Sequence, residues 1–217
     1  MSSTKPTAVD DWKAQRRTGV AAIAVSSFVA AALWLGIRFL APPIAGMESL
    51  PARMVFALNC CCFAVIFCFV TGVEAVAHER LQSPAFDPLV GYETRRLKVN
   101  LRYLQNTLEQ SVVFATGLFG LAAYSADGDS MRAVLATTIV WILARLAFWI
   151  GYHRSAAMRG IGAPGVMISM LVLLYVVSRI SFDIAGAAGG VGTLVAFLIF
   201  EAVLFRTTRA SPIETAV

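Results

Sequence analysis

Residues 132–152 read RAVLATTIVWILARLAFWIGY. A helix needs about 20 mostly apolar residues to cross the hydrocarbon core of a bilayer, and this run is long enough. It is interrupted once, by Arg145, about two turns before Tyr152. An arginine at that depth cannot easily snorkel to the headgroups, and an unpaired charge there is expensive. The stretch therefore implies two things together: a polytopic membrane protein, and a polar site inside or at the edge of its bundle.

The rest of the chain agrees. Of 217 residues, 58% are hydrophobic and 14% charged, where soluble domains carry roughly 25% charge. Mean hydropathy is +0.72. These values exclude a disordered chain and argue against a soluble domain. Six stretches approach spanning length: residues 19–41, ended by Pro42-Pro43; 54–77; 103–124, with a polar start; 132–152; 165–184; and 191–205, short and preceded by the glycine-rich segment 186–192. Six crossings return both termini to one side. Thirteen Lys and Arg residues fall on the side of the termini and four on the other, which orients both termini to the cytoplasm. Residues 1–17 are mixed in charge and the following apolar run exceeds a signal-peptide core, so a retained first helix is expected. The loop 78–101 reads as a cytoplasmic connection ending in a helix that extends below the membrane.

Net charge is +5, but the basic residues lie in short clusters between apolar runs, and no nucleic-acid-binding pattern is present. Cys60, Cys61, Cys62 and Cys68 lie in one apolar run. Adjacent helical residues point about 100° apart, so these cysteines read as packing and no metal site is expected. No HExxH, CxxC, G-x-S-x-G or Walker A pattern occurs. His78 and His153 read as interfacial, and Arg179 with Asp183 as an i, i+4 helix pair.

Two polar clusters stand out. Arg102, Asn106 and Glu109 are spaced four and three residues apart, on one helical face, flanked by Gln105 and Gln110. One reading is an internally satisfied face in which Arg102 pairs with Glu109 through Asn106. The second cluster is Arg145, Trp149, Tyr152 and Arg159, which a continuous helix would set on one stripe; Arg154 points away as a headgroup anchor. Three arginines, a carboxylate, an amide and a tyrosine near the cytoplasmic boundary suit a small anionic ligand. A guanidinium beside a ligand thiol would also favour its thiolate, the nucleophilic form.

Arg102-Tyr-Leu-Gln-Asn106-Thr-Leu-Glu109 resembles the R-x-x-x-N-x-x-E signature of the membrane-associated proteins in eicosanoid and glutathione metabolism (MAPEG). The segment Arg145-Leu-Ala-Phe-Trp-Ile-Gly151-Tyr152-His-Arg154-Ser-Ala-Ala-Met-Arg159 is similar to that family's third-helix segment, in matching order and spacing. The resemblance implies an all-α integral membrane fold: a four-helix bundle over residues 53–184, assembled as a homotrimer. One extra transmembrane helix would stand at each end, at 19–41 and 191–206, beside cytoplasmic tails at 1–18 and 207–217. It further implies glutathione as co-substrate, bound between subunits near the cytosolic face. Arg102, Asn106, Glu109, Arg145 and Tyr152 would bind glutathione, and Arg159 would activate its thiol. Phe148 and Gln110 depart from the family pattern, each standing where a member carries tyrosine. The extra helices and modest divergence point to a bacterial inner membrane.

The expected function is a glutathione-dependent membrane transferase that conjugates the thiolate to a lipophilic electrophile arriving through the bilayer, with peroxide reduction as a related activity. The alternative is a non-catalytic membrane scaffold or ligand-binding member of the same fold. A small transporter is disfavoured by the lack of internal repeats.

Overall fold

The computed structural model describes residues 8–208, and all regular structure among them is helical. Residues 1–7 of the expected N-terminal tail and 209–217 of the expected C-terminal tail lie outside the described residues. Helix α1 (Ala8–Leu40) begins well ahead of the expected residue 19 and stops where Pro42 and Pro43 can donate no helical hydrogen bond. Helix α2 (Leu50–Ala64) is capped by Ser49, whose hydroxyl accepts the Ala52 N–H at 3.3 Å. It passes through a π-helical turn (Val65–Val70) into α3 (Thr71–Leu81). Helix α4 (Arg95–Tyr124) is capped by Thr94. Helix α5 (Gly128–Arg154) begins with a reciprocal capping box between Asp127 and Ser130. The Ser130 hydrogen bonds hold the exposed Asp127 carboxyl below the usual carboxylate range.

Four helical stretches are long and apolar enough to cross a membrane: Trp12–Leu40, Leu50–Leu81, Gly128–Arg154 and Met158–Thr207. Six separate spans were expected. The stretch 103–124 does not qualify because the polar face of α4 (Gln105, Asn106, Glu109, Gln110) lowers its hydropathy. The last two expected spans are two helices, 163–184 and 187–207, joined in the run α6 (Ala163–Thr207) across a non-helical break at Ala185 and Gly186. Gly186 adopts φ 60°, left-handed backbone that favours glycine. The glycine-rich segment 186–192 that precedes the sixth expected span is helical beyond residue 186. A Cβ on Gly189 would lie 2.3 Å from the Ser181 carbonyl oxygen, so that glycine lets the chain double back closely. The Thr193 hydroxyl meets Ser181 Oγ at 2.8 Å across the fold-back. The chain divides into two compact units within α6, at residues 173 and 174.

The core of the first unit follows from small residues at helical spacing. Ala57, Cys60, Ala64 and Cys68 are buried against Phe114, Leu118 and Ala122 of α4 and Met131, Val134 and Trp141 of α5. Small residues let membrane helices approach closely. Phe114 and Trp141 stack at 4.4 Å. Helix α1 lies along α5: the Trp34 indole N–H donates to Thr137 Oγ1 (3.1 Å), and Arg38 pairs with Asp129 (3.1 Å).

The connection from α5 to α6 sets the site. Helix α5 ends at Arg154, and Ser155 is extended. The Ser155 hydroxyl accepts the Met158 N–H at 3.2 Å, and a 3-10 turn (Met158–Gly162) leads into α6. Two glycines make this reversal possible. A Cβ on Gly151 would fall 2.3 Å from the Met158 carbonyl oxygen, and one on Gly162 would fall 2.2 Å from Phe148 Cβ. Helix α1 backs the same turn: a Cβ on Gly160 would lie 2.9 Å from the Gly19 carbonyl oxygen.

Gly151→Ala must displace backbone, so it should lower stability by about 1–3 kcal/mol. Gly36→Ala in α1 has open space around its Cβ and should stabilise by up to about 1 kcal/mol through helix propensity. Thermal unfolding of both variants in detergent checks the contrast.

Candidate functional site

Helix α4 carries two hydrogen-bonded relays along its polar face. In the first, Arg102 Nη1 donates to Gln105 Oε1 (3.1 Å), and Gln105 Nε2 donates to Glu109 Oε1 (3.1 Å). Arg102 is thus coupled to Glu109 through Gln105, not through Asn106 as the sequence spacing suggested. The i, i+3 and i, i+4 steps from Arg102 to Gln105 to Glu109 fit one helical ridge. Asn106 is engaged elsewhere: its Oδ1 accepts from Gln110 Nε2 at 3.2 Å.

The second relay begins on α5. Arg145 is fully buried. Its Nη1 donates to Gln110 Oε1 (3.0 Å) and its Nη2 to Thr107 Oγ1 (3.0 Å). Its guanidinium lies 4.6 Å from the Phe148 ring centre and 5.6 Å from that of Tyr103, within cation–π range. Its Nε is buried without a partner. None of Arg102, Arg145 and Arg159 forms an ion pair among the described residues. The deepest arginine is therefore held by neutral acceptors and ring faces, and its charge is not cancelled.

Arg145 and Tyr152 share one face of α5, as their spacing requires. Arg159 does not extend that stripe, because α5 ends at Arg154. It returns on the 3-10 turn, which sets its guanidinium 5.9 Å from the Tyr152 ring centre. A chain reversal, not a heptad, brings the two together.

These residues converge on one cavity of about 470 Å³. Its lining includes all six expected residues: Arg102, Asn106, Glu109, Arg145, Tyr152 and Arg159. Gln105, Gln110, Phe148, the turn residues Gly160 and Gly162, and Ala163 and Val166 of α6 complete the walls. Three arginines against one glutamate give the lining a formal charge of +2. A second cavity, of about 610 Å³, shares Arg102, Gln105 and Tyr152 with the first and adds Glu93, Arg95 and Lys98. Thr107 and the two glutamines were not singled out as site residues. Their signal was present: Gln110 follows Asn106 by one turn, and an intramembrane arginine must find acceptors close by.

A separate buried network braces the base of the site. Asn100 is almost fully buried. Its Oδ1 accepts from the Trp149 indole (2.9 Å) and lies 2.9 Å from His153 Nε2, while its Nδ2 donates to Glu79 Oε2 (3.1 Å). Thr94 and Arg96 also engage Glu79. Trp149 in turn stacks on Tyr103 at 5.1 Å. His153, expected at the interface, is tied into this network, whereas His78 is exposed and meets Glu74 at 3.3 Å. Arg95 donates to the His153 and Tyr152 carbonyls at the end of α5 (2.9 and 3.4 Å).

In comparisons with known proteins, the model of the MAPEG family matches residues 54–182, more than half of the chain. No curated protein and no solved structure matches.

Asn100→Ala would orphan the Trp149 indole N–H and part of the Glu79 carboxylate. It should cost about 1–3 kcal/mol of stability, measured as a lower thermal midpoint in detergent.

Proposed function

Because the chain belongs to the MAPEG family, we propose that it is a glutathione-dependent membrane transferase acting on lipophilic electrophiles. The observation that carries this reading is the uncompensated charge of the fully buried Arg145 behind a cavity with a formal charge of +2. Glutathione as thiolate has two carboxylates, one sulfur anion and one ammonium, a net charge of −2. It is opposite to the lining in sign and equal to it in magnitude.

Arg102, Asn106 and Glu109 would hold the tripeptide along α4. Tyr152 would support it from α5. Each terminal nitrogen of Arg145 donates one N–H, to Gln110 or Thr107, and the side chain is fully buried, so this arginine acts mainly through its field, which low-dielectric surroundings strengthen. Arg159, over the Tyr152 ring, would stabilise the sulfur anion. The thiol proton leaves to water. The thiolate then forms a carbon–sulfur bond with an electrophile drawn from the acyl region, and the electrophile's leaving group departs with its electron pair. Lipid hydroperoxides are a related class of acceptor.

Arg102, Gln105 and Glu109 are exposed in the single chain. Polar side chains at the membrane edge favour a covered surface, which a homotrimer would supply. In this reading the two halves of α6 cross separately, α1 and the end of α6 are additions to a four-helix core, and both termini face the cytoplasm of a bacterial cell. One observation favours the alternative, a non-catalytic ligand-binding member. Phe148 offers a ring to Arg145 at 4.6 Å and no hydroxyl to a ligand.

Two measurements test the proposal. Millimolar reduced glutathione should raise the thermal stability of the detergent-purified protein by about 2.7 kcal/mol at 100 times its dissociation constant, and Arg102→Ala should reduce the shift. Absence of any shift at saturation would remove glutathione from the reading. Arg159→Ala should slow conjugation of a model lipophilic electrophile on the order of 100-fold while the glutathione-dependent shift persists. Binding without turnover in the unsubstituted protein would favour the non-catalytic alternative.

A further inference from the structure

The orientation of a side-chain amide is usually ambiguous, because its oxygen and nitrogen occupy similar positions. Here it is dictated. A guanidinium can only donate. The Gln110 atom 3.0 Å from Arg145 Nη1 must therefore be its oxygen. Gln110 Nε2 then points the other way, 3.2 Å from Asn106, where the atom it meets must be an acceptor, Oδ1. The Asn106 amide nitrogen is the group left for the cavity that Asn106 lines. The second Arg145 nitrogen is anchored on Thr107, itself fully buried, so the origin of the relay cannot swing away.

We propose that Gln110 is a positioning residue: it transmits the donor-only character of buried Arg145 to Asn106, so that Asn106 presents N–H donors to an acceptor oxygen of the bound ligand. This deepens the glutathione reading and rests on it; the oxygen would belong to a carboxylate or amide carbonyl of the tripeptide. Without Gln110 the Asn106 amide is free to turn its oxygen toward the ligand, which repels an acceptor. The relay adds polarity where spacing on α4 alone adds only proximity.

Because Gln110 also lines the cavity, direct contact must be separated from action through Asn106. A double-mutant cycle does this. Glutathione affinity is measured by calorimetry on the detergent-purified protein, on Gln110→Met, on Asn106→Ala and on the double variant. Each single variant should weaken binding about tenfold or more, and the double variant should be no weaker than the worse single. Losses that multiply would overturn the proposal, since Gln110 would then act without Asn106. If Gln110→Met fails to fold, Gln110→Glu keeps an acceptor for Arg145 but cannot donate to Asn106. Its added charge is present in both Asn106 backgrounds and cancels in the cycle. Its loss in affinity should then shrink in the Asn106→Ala background, and an equal loss in both would overturn the proposal. Failure of the unsubstituted protein to bind glutathione would overturn the functional reading and this relay with it, whereas binding with independent losses would overturn the relay alone.

Discussion

The charge on Arg145 has nowhere to go, and much of the first unit is arranged around that fact. The residue is fully buried in a helix of membrane-spanning composition, where removing a guanidinium from water costs several kcal/mol. A carboxylate partner would offset the cost and also silence the charge. The protein uses neutral acceptors instead, the Gln110 amide and the Thr107 hydroxyl, with the Phe148 and Tyr103 rings alongside. The hydrogen bonds and ring faces spread the cost, while the positive field survives into the cavity. Phe148 adds a ring face 4.6 Å from the guanidinium and no hydroxyl, so it too supports the charge without cancelling it.

Around this arginine the backbone must come closer than side chains normally allow. Gly151 and Gly162 let the Met158–Gly162 turn fold back on α5, and Gly160 lets α1 back that turn. Helix α1 lies outside the segment 54–182 that matches the family. It is nonetheless tied to α5 through Trp34 and Arg38 and pressed against the turn that carries Arg159. The added helix is therefore part of what holds the site, not a detached anchor. The Glu79–Asn100–Trp149 network plays a matching part below, fixing the register of α4 against α5 with buried, mutually satisfied polar groups.

Much of this was legible in the residues themselves. The membrane character follows from apolar runs of spanning length, and Arg102, Asn106 and Glu109 share a face because a helix repeats every 3.6 residues. Arg145 drew attention because charge at membrane depth demands a reason. Other features were not legible. Spacing on a single helix placed Asn106 between Arg102 and Glu109, but rotamers and the competing pull of Gln110 chose Gln105 as the bridge. Heptad arithmetic reached Arg159 by assuming that α5 continues, whereas extended backbone at Ser155 ends it. The sixth span was expected to start at about 191, after the glycine-rich segment, yet only Ala185 and Gly186 leave the helix. In a close helical fold-back, glycine serves contact as readily as flexibility.

By itself, then, the sequence determined an all-helical membrane protein and the polar residue types gathered on α4 and α5, while the family followed from the resemblance of two short motifs. The helical membrane character and the polar faces depend on composition and on one-dimensional period, which survive without knowledge of the partners. Only the tertiary structure decided how Arg145 is satisfied, which amide faces the cavity, and how Arg159 returns to Tyr152. Those outcomes depend on contacts between α4, α5 and the turn that are distant in sequence. A hydrogen bond acquires its direction from whichever partner can only donate or only accept, and packing alone determines which partners meet.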